Sequence, residues 1–261
     1  MTPETNWLNL FGKYTSEGIT WHSQTTVYSL EFEIIRAYKF TRKFSMNKDK
    51  TVVYHENKYN LPDGSVKEQN WEISKDKCNQ ADGVFHPEAE NMRTIGFGNG
   101  SSIWVSKQII EDKNFGSEIF IKQDDLRYGL ISVYDKGKLE RFVIIKENAN
   151  DFPTSINEET IDNFSGKWRI KQIEISPNLE DIEEEFITEN INSYLNVDDN
   201  KTYNLPEKVR FHLPENINYN QKFTISVGKL ISDHIYQQVT SKYDEKGTLQ
   251  KLISSRCEKI I

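Results

Sequence analysis

"YDKGKLERFVIIKE" (Tyr134–Glu147) is echoed far along the chain by "YDEKGTLQKLISSRCE" (Tyr243–Glu258). Each phrase runs Tyr-Asp, then a Lys-Gly turn, a leucine and a segment that ends in Glu. Glycine supplies the positive φ that a tight hairpin needs, and the run after it reads as a strand. Working outward, each phrase closes a half that opens on Gly-Lys-aromatic: Gly12-Lys13-Tyr14 in the first, Gly166-Lys167-Trp168 in the second. Two related β units are therefore expected, each a meander with the same last hairpin. A sheet that closes on itself removes its exposed edges, and a unit of this length suits a barrel of about eight strands.

The rest of the pattern agrees. In "TVVYHENKY", Val53, His55, Asn57 and Tyr59 share one face and Val52, Tyr54 and Glu56 the other. "EIFIK", "YGLISVYD" and "RFVIIKE" are short β-branched and aromatic runs, and Asp63-Gly64, Asp82-Gly83, Asn99-Gly100 and Lys136-Gly137 punctuate them as turns. Strands this close, with no helices between, favour antiparallel meanders over βαβ units. Few helices are expected. Thr2-Pro3 starts one, and Ser155 with Glu158 has capping-box spacing for a short second one in the polar connector around residues 149–163. The acidic run "LEDIEEEF" reads as a solvated loop or strand edge. "GFGNG" (Gly96–Gly100) reads as a bulged hairpin, since no strand-to-helix context makes it a phosphate loop.

Apolar residues make up 36% of the 261 and charged residues 28%, but 14 Phe, 12 Tyr and 5 Trp can build a core from few side chains. A net charge of −7 without a basic block argues against nucleic acid. Cys78 and Cys257 are read as free thiols. The N-terminus lacks a basic region followed by an apolar run, and no apolar segment approaches about 18 residues. A cytoplasmic protein with no membrane span is expected, and the sequons at Asn99, Asn163 and Asn200 are read as chance.

A glycine two residues before a tryptophan, as in "SGKWRI", resembles the first strand of lipocalin-like barrels. More specific are "NWLNLFGKYTSEGITWHS", "YHENKYNLPDGSVKEQNW", "NQADGVFHPEAENMRTIGFGNG" and "FGSEIFI" in the first half, with "HLPENI" and "VTSKYDEKGTLQKLISSRCEKI" in the second. Together they resemble a cyanobacterial family of unknown function with a lipocalin-like, calycin-type fold; residues 177–205 match poorly. The resemblance implies an all-β protein of two antiparallel lipocalin-like barrel units with few short helices, residues 1–150 and a smaller 151–261. It implies no reaction. Related calycin proteins bind apolar ligands, attach bilins or assist cyclisations, which are analogies of fold.

Polar groups able to do chemistry concentrate in the first half. Trp21, Trp71, His86, Arg93, Trp104, Arg127 and Tyr134 are candidate ligand-binding residues; an arginine would hold a carboxylate and the indoles would form walls. His55, His22 and Glu68 are candidates for proton transfer, with His55 and Glu68 placed to meet across the Asp63-Gly64 turn. Each has a plainer reading. His22 would face water beside an inward Trp21, His55 would be a hydrogen-bonded core histidine, His86 before Pro87 would serve a turn, and Arg93 would pair with Glu88 or Glu90. No metal and no cofactor is expected, because the histidines match no local ligand spacing. The expected function is binding of an apolar or amphipathic small molecule, possibly carboxylate-bearing, in the N-terminal barrel. The rival is a cofactor-independent lyase, isomerase or cyclase using a histidine. Oligomeric state is not legible.

Overall fold

Short alternating runs separated by glycine turns fold into two sheets whose described pairings are antiparallel. A computed structural model describes residues 1–261 except 13, 14, 16, 62, 162, 163, 197–199 and 261. Lys13 and Tyr14 of the first Gly-Lys-aromatic segment, and the sequon Asn163, lie outside the described residues. About 60% of the chain is strand and 8% helix, which makes it all-β as expected.

The first sheet comprises β1 (Ile19–Tyr28), β2 (Ile34–Met46), β3 (Val52–Asn60), β4 (Val66–Ser74), β5 (Asn79–Gln80), β6 (Gly83–His86), β7 (Ala89–Gly96), β8 (Ser101–Ser106), β9 (Phe115–Gln123), β10 (Leu126–Asp135) and β11 (Lys138–Asn148). Its order is β4-β3-β2-β1-β11-β10-β9-β8-β7-β6-β5, a nearly closed barrel of 11 strands, larger than the eight or so expected. The helix α1 (Pro3–Phe11) starts as its sequence predicts, with the Thr2 hydroxyl accepting from the Thr5 N–H. Its Trp7 is buried with Val53, Ile73 and Val84. Asn6 clamps the helix to β7 by donating to the Thr94 carbonyl and accepting from the Gly96 N–H. A Cβ on Gly96 would stand 2.9 Å from Asn9 Cβ, so only glycine lets the helix this close. The short helix α2 (Lys75–Cys78) joins β4 to β5.

The second sheet comprises β12 (Trp168–Ile175), β13 (Asp181–Thr188), β14 (Lys201–Leu205), β15 (Val209–Leu213), β16 (Phe223–Ser232), β17 (Ile235–Tyr243) and β18 (Leu249–Lys259), in the order β13-β12-β18-β17-β16-β15-β14. The helix α3 (Ile191–Leu195) contributes Ile191 and Leu195 to a core with Phe164, Trp168, Ile170, Tyr236 and Cys257. The acidic run is the edge strand β13, largely exposed along its length.

The repeated phrase forms the hairpin β10–β11 in one sheet and β17–β18 in the other. In both, the last strand returns to pair with the first: β11 with β1, β18 with β12. Ser23 stands opposite Glu147, and Ile170 opposite Cys257. Trp21 and Trp168 each precede that position by two residues, so the counterpart of Trp168 is Trp21, not Tyr14.

The helix expected from Ser155 and Glu158 is absent, and the described residues there carry no regular structure. The backbone is committed elsewhere. The Asn157 and Glu159 carbonyls accept from the Glu207 and Lys208 N–H groups, and the Asn157 N–H donates to the Glu207 carboxylate. Helical i→i+4 bonds would need those same carbonyls.

By contact density the chain divides into two units. One comprises Met1–Val105, Ser117–Ser132 and Arg141–Thr154, the other Ser106–Gly116, Val133–Glu140 and Ser155–Ile261. No described helix is long and apolar enough to cross a membrane.

Candidate functional site

Alternation along five strands turns Trp21 and Ser23 (β1), Arg42 and Phe44 (β2), Glu118 and Phe120 (β9), Arg127 (β10) and Glu147 (β11) to one side of the barrel wall. Register assists, with Trp21 opposite Arg42 and Ile19 opposite Phe44. Here the barrel holds a cavity of about 420 Å³, lined by Leu8, Leu10 and Phe11 of α1 and by Ile19, Trp21, Arg42, Phe44, Phe120, Lys122 and Arg127. That volume falls in the range of small-molecule pockets, roughly 300–1,000 Å³.

The charged groups form one cluster. Arg127 Nε donates to Glu147 Oε2 at 2.5 Å, and Ser23 Oγ donates to Glu147 Oε1 at 2.9 Å. Arg42 Nη1 lies 3.8 Å from both Glu147 Oε1 and Glu118 Oε1. Burial works against the charge on Glu147, which is fully buried, but Arg127 and Arg42 outweigh it and hold its carboxyl below the usual range. For Glu118 burial wins over Arg42, and its carboxyl is pushed up. Gly129 makes room for it, since a Cβ there would stand 3.0 Å from Glu118 Oε1. Two guanidinium groups thus face two carboxyl groups, one held low by the arginines and one pushed up by burial. The guanidinium carbon of Arg127 lies 4.5 Å from the Trp21 ring centre and 5.1 Å from that of Phe120. Arg42 Nε and Arg127 Nη2 are shielded from solvent yet have no hydrogen-bond partner.

Next to this pole stands a second group. His55 is stacked on Phe44 at 4.5 Å and lies 4.7 Å from Trp71 and 5.6 Å from His86. His86 lies 5.0 Å from Trp71 and 6.3 Å from Trp104. Burial first, then Arg42 and His86, push His55 down to about 2, so it is a neutral imidazole over the physiological range. Its Nε2 meets Asn57 Oδ1 at 3.1 Å. Burial also lowers His86, against the pull of Glu88.

The barrel therefore gathers Trp21, His55, Trp71, His86, Trp104 and Arg127. Four predicted residues lie apart. His22, on the other face of β1 from Trp21, packs against Phe152 at 5.0 Å. The expected contact between His55 and Glu68 does not form, because the register places His55 opposite Trp71 and Glu68 opposite Lys58. Glu68 instead makes a half-exposed ion pair with Lys58 at 3.2 Å. Arg93 is bound by Asp82 at 2.7 Å, not by Glu88 or Glu90 carboxylates, and donates to the Glu90 and Met92 carbonyls. Tyr134 is fully buried, stacked on Phe115 at 4.6 Å and donating to the Pro214 carbonyl. Among the described residues no cluster of His, Cys, Asp or Glu is arranged to hold a metal ion.

Sequence reasoning missed Arg42, Glu118, Glu147, Phe44 and Phe120. One signal was present: Val143, Ile145 and Glu147 share a strand face, and a carboxylate ending an otherwise apolar stripe needs an inward partner.

Comparison with known proteins places this architecture. Residues 3–152 match the N-terminal domain of the DUF3598 family, a domain of unknown function, and the chain belongs to that family. Its fold is similar to that of a DUF3598 protein of unknown function from the cyanobacterium Nostoc punctiforme PCC 73102, at a TM-score of 0.73 and 14% identity, over 98% of this chain and 99% of that one. An AttH candidate from Nitrosomonas europaea (TM-score 0.24, 6% identity, 97% and 96% coverage) and kievitone hydratase from Nectria haematococca (0.23, 8%, 95% and 90%) are too distant in structure to support any argument. No curated protein matches the chain.

Proposed function

We propose that the barrel binds an amphipathic small molecule through an acidic group. The observation that supports this is the pair of buried guanidinium N–H groups, Arg42 Nε and Arg127 Nη2, left without partners beside an aromatic-walled cavity. A buried donor with no acceptor is costly, and a carboxylate entering the cavity would supply one. Trp21, Phe44 and Phe120 along the cavity wall suit an apolar body. Barrels of the lipocalin-like, calycin type offer a parallel in shape alone.

Catalysis by histidine draws less support. A general base works best with a pKa near the working pH, and His55 sits far below it, while His22 is on the other face of its strand.

Calorimetric titration of the full chain with decanoate and with decanol tests the proposal. The acid is expected to bind, and Arg127→Met to weaken it at least tenfold with no effect on the alcohol. Equal binding of acid and alcohol, or an indifferent Arg127→Met, would overturn it.

A further inference from the structure

The same barrel contains a second pair of unused donors. His86 Nε2 and Trp104 Nε1 are both shielded from solvent and unpartnered. His86 Nδ1 accepts from the Glu88 N–H at 3.3 Å, so the ring proton of the neutral imidazole sits on Nε2. An indole nitrogen is a donor only. The two rings stand 6.3 Å apart, with Trp71 and His55 packed on His86. The group adjoins the arginine pole: Phe44, which lines the cavity, stacks on His55, and Trp104 is the cross-strand partner of Glu118. Two donors with no acceptor select an oxygen and reject an ammonium.

We infer that His86 and Trp104 form a second polar subsite, which takes a hydroxyl or carbonyl oxygen carried by the acid bound at Arg42 and Arg127. The ligand class narrows from an amphipathic acid to a hydroxy or oxo acid with polar groups at both ends and an apolar middle. This rests on the acid-binding reading above. It also explains why the aromatic wall is interrupted by a histidine whose ring nitrogen is left unused.

Matched ligands separate the two ideas. The full chain is titrated with octanoate and decanoate and with their ω-hydroxy analogues. Without a subsite, burying the extra hydroxyl costs desolvation and weakens binding. With it, the hydroxy acid of at least one length is expected to bind about five- to tenfold more tightly than its parent. Trp104→Phe and His86→Phe together should abolish that preference and leave the parent acids within about twofold. Parent acids that bind in an Arg127-dependent way, with no hydroxyl preference at either length, overturn the subsite and spare the acid reading. Failure of every acid to bind overturns both. The wild-type comparison decides the matter even if the double variant does not fold.

Discussion

Seven residues before the hairpin tyrosine stands Arg127 in β10 and Tyr236 in β17; eight beyond the hairpin leucine stands Glu147 in β11 and Cys257 in β18. The same backbone phrase thus holds an ion pair in one sheet and an apolar pair in the other. Tyr236 and Cys257 are register partners, buried among Phe164, Trp168, Ile170, Ile191 and Leu195. Burial pushes the Cys257 thiol up to about 12, so it stays a neutral, inert filler. Arg127 and Glu147 occupy the corresponding places beside an open cavity, under Trp21, the counterpart of Trp168. A hydrophobic pair of similar volume is often as stable as a buried ion pair or more so. The second sheet places such a pair, Tyr236 and Cys257, in its own last hairpin. Charges at these places in the barrel agree with the acid-binding proposal, which gives them a role that stability does not.

Breaking one half of the ion pair should produce the largest effect. Glu147→Ala strands Arg127 and Arg42 in a buried setting and is expected to cost about 3–5 kcal/mol in urea unfolding. Transplanting the second sheet's solution, Arg127→Tyr with Glu147→Cys, should cost less than Glu147→Ala alone. A double variant that is worse than the single would break the equivalence of the two hairpins.

The histidine beside the cavity gives the next effect. An unfolded histidine takes a proton near pH 6.5, whereas folded His55 resists until about 2. The unfolded state therefore binds more protons between those values. Stability is complete above about 6.5 and erodes as pH falls, by at most about 1.4 kcal/mol per unit. His55→Phe should flatten that slope in denaturation measured from pH 7 to 5, and an unchanged slope would refute the buried, neutral assignment. The smallest effect belongs to Glu68→Gln, which removes the exposed pair with Lys58. Less than about 1 kcal/mol is expected, and a larger loss would return Glu68 to the barrel's inner group.

Much of this was legible in the sequence. The period of two in "TVVYHENKY" put Val53, His55, Asn57 and Tyr59 on one face; in the structure Val53 and Asn57 are buried and Tyr59 stacks on Phe40. The hairpin echo marked the last hairpin of both sheets, β10–β11 and β17–β18, while the return of each last strand to the first is seen only in the structure. Partnership across the barrel was not legible. Alternation shows that Glu118 and Arg42 can face inward, but not that β2, β9, β10 and β11 bring them together, and a charged strand residue is by default read as exposed. The proposed contact of His55 with Glu68 failed on register alone. Asn60 pairs with Val66, which fixes Trp71 opposite His55 and turns Glu68 outward.

β13 is the exposed end strand of its sheet. An open strand edge invites another copy to dock along it, and Asp181, Glu183, Glu184 and Glu185 crowd this one with negative charge. Two such margins brought side by side would repel each other, and dissolved salt would weaken that repulsion.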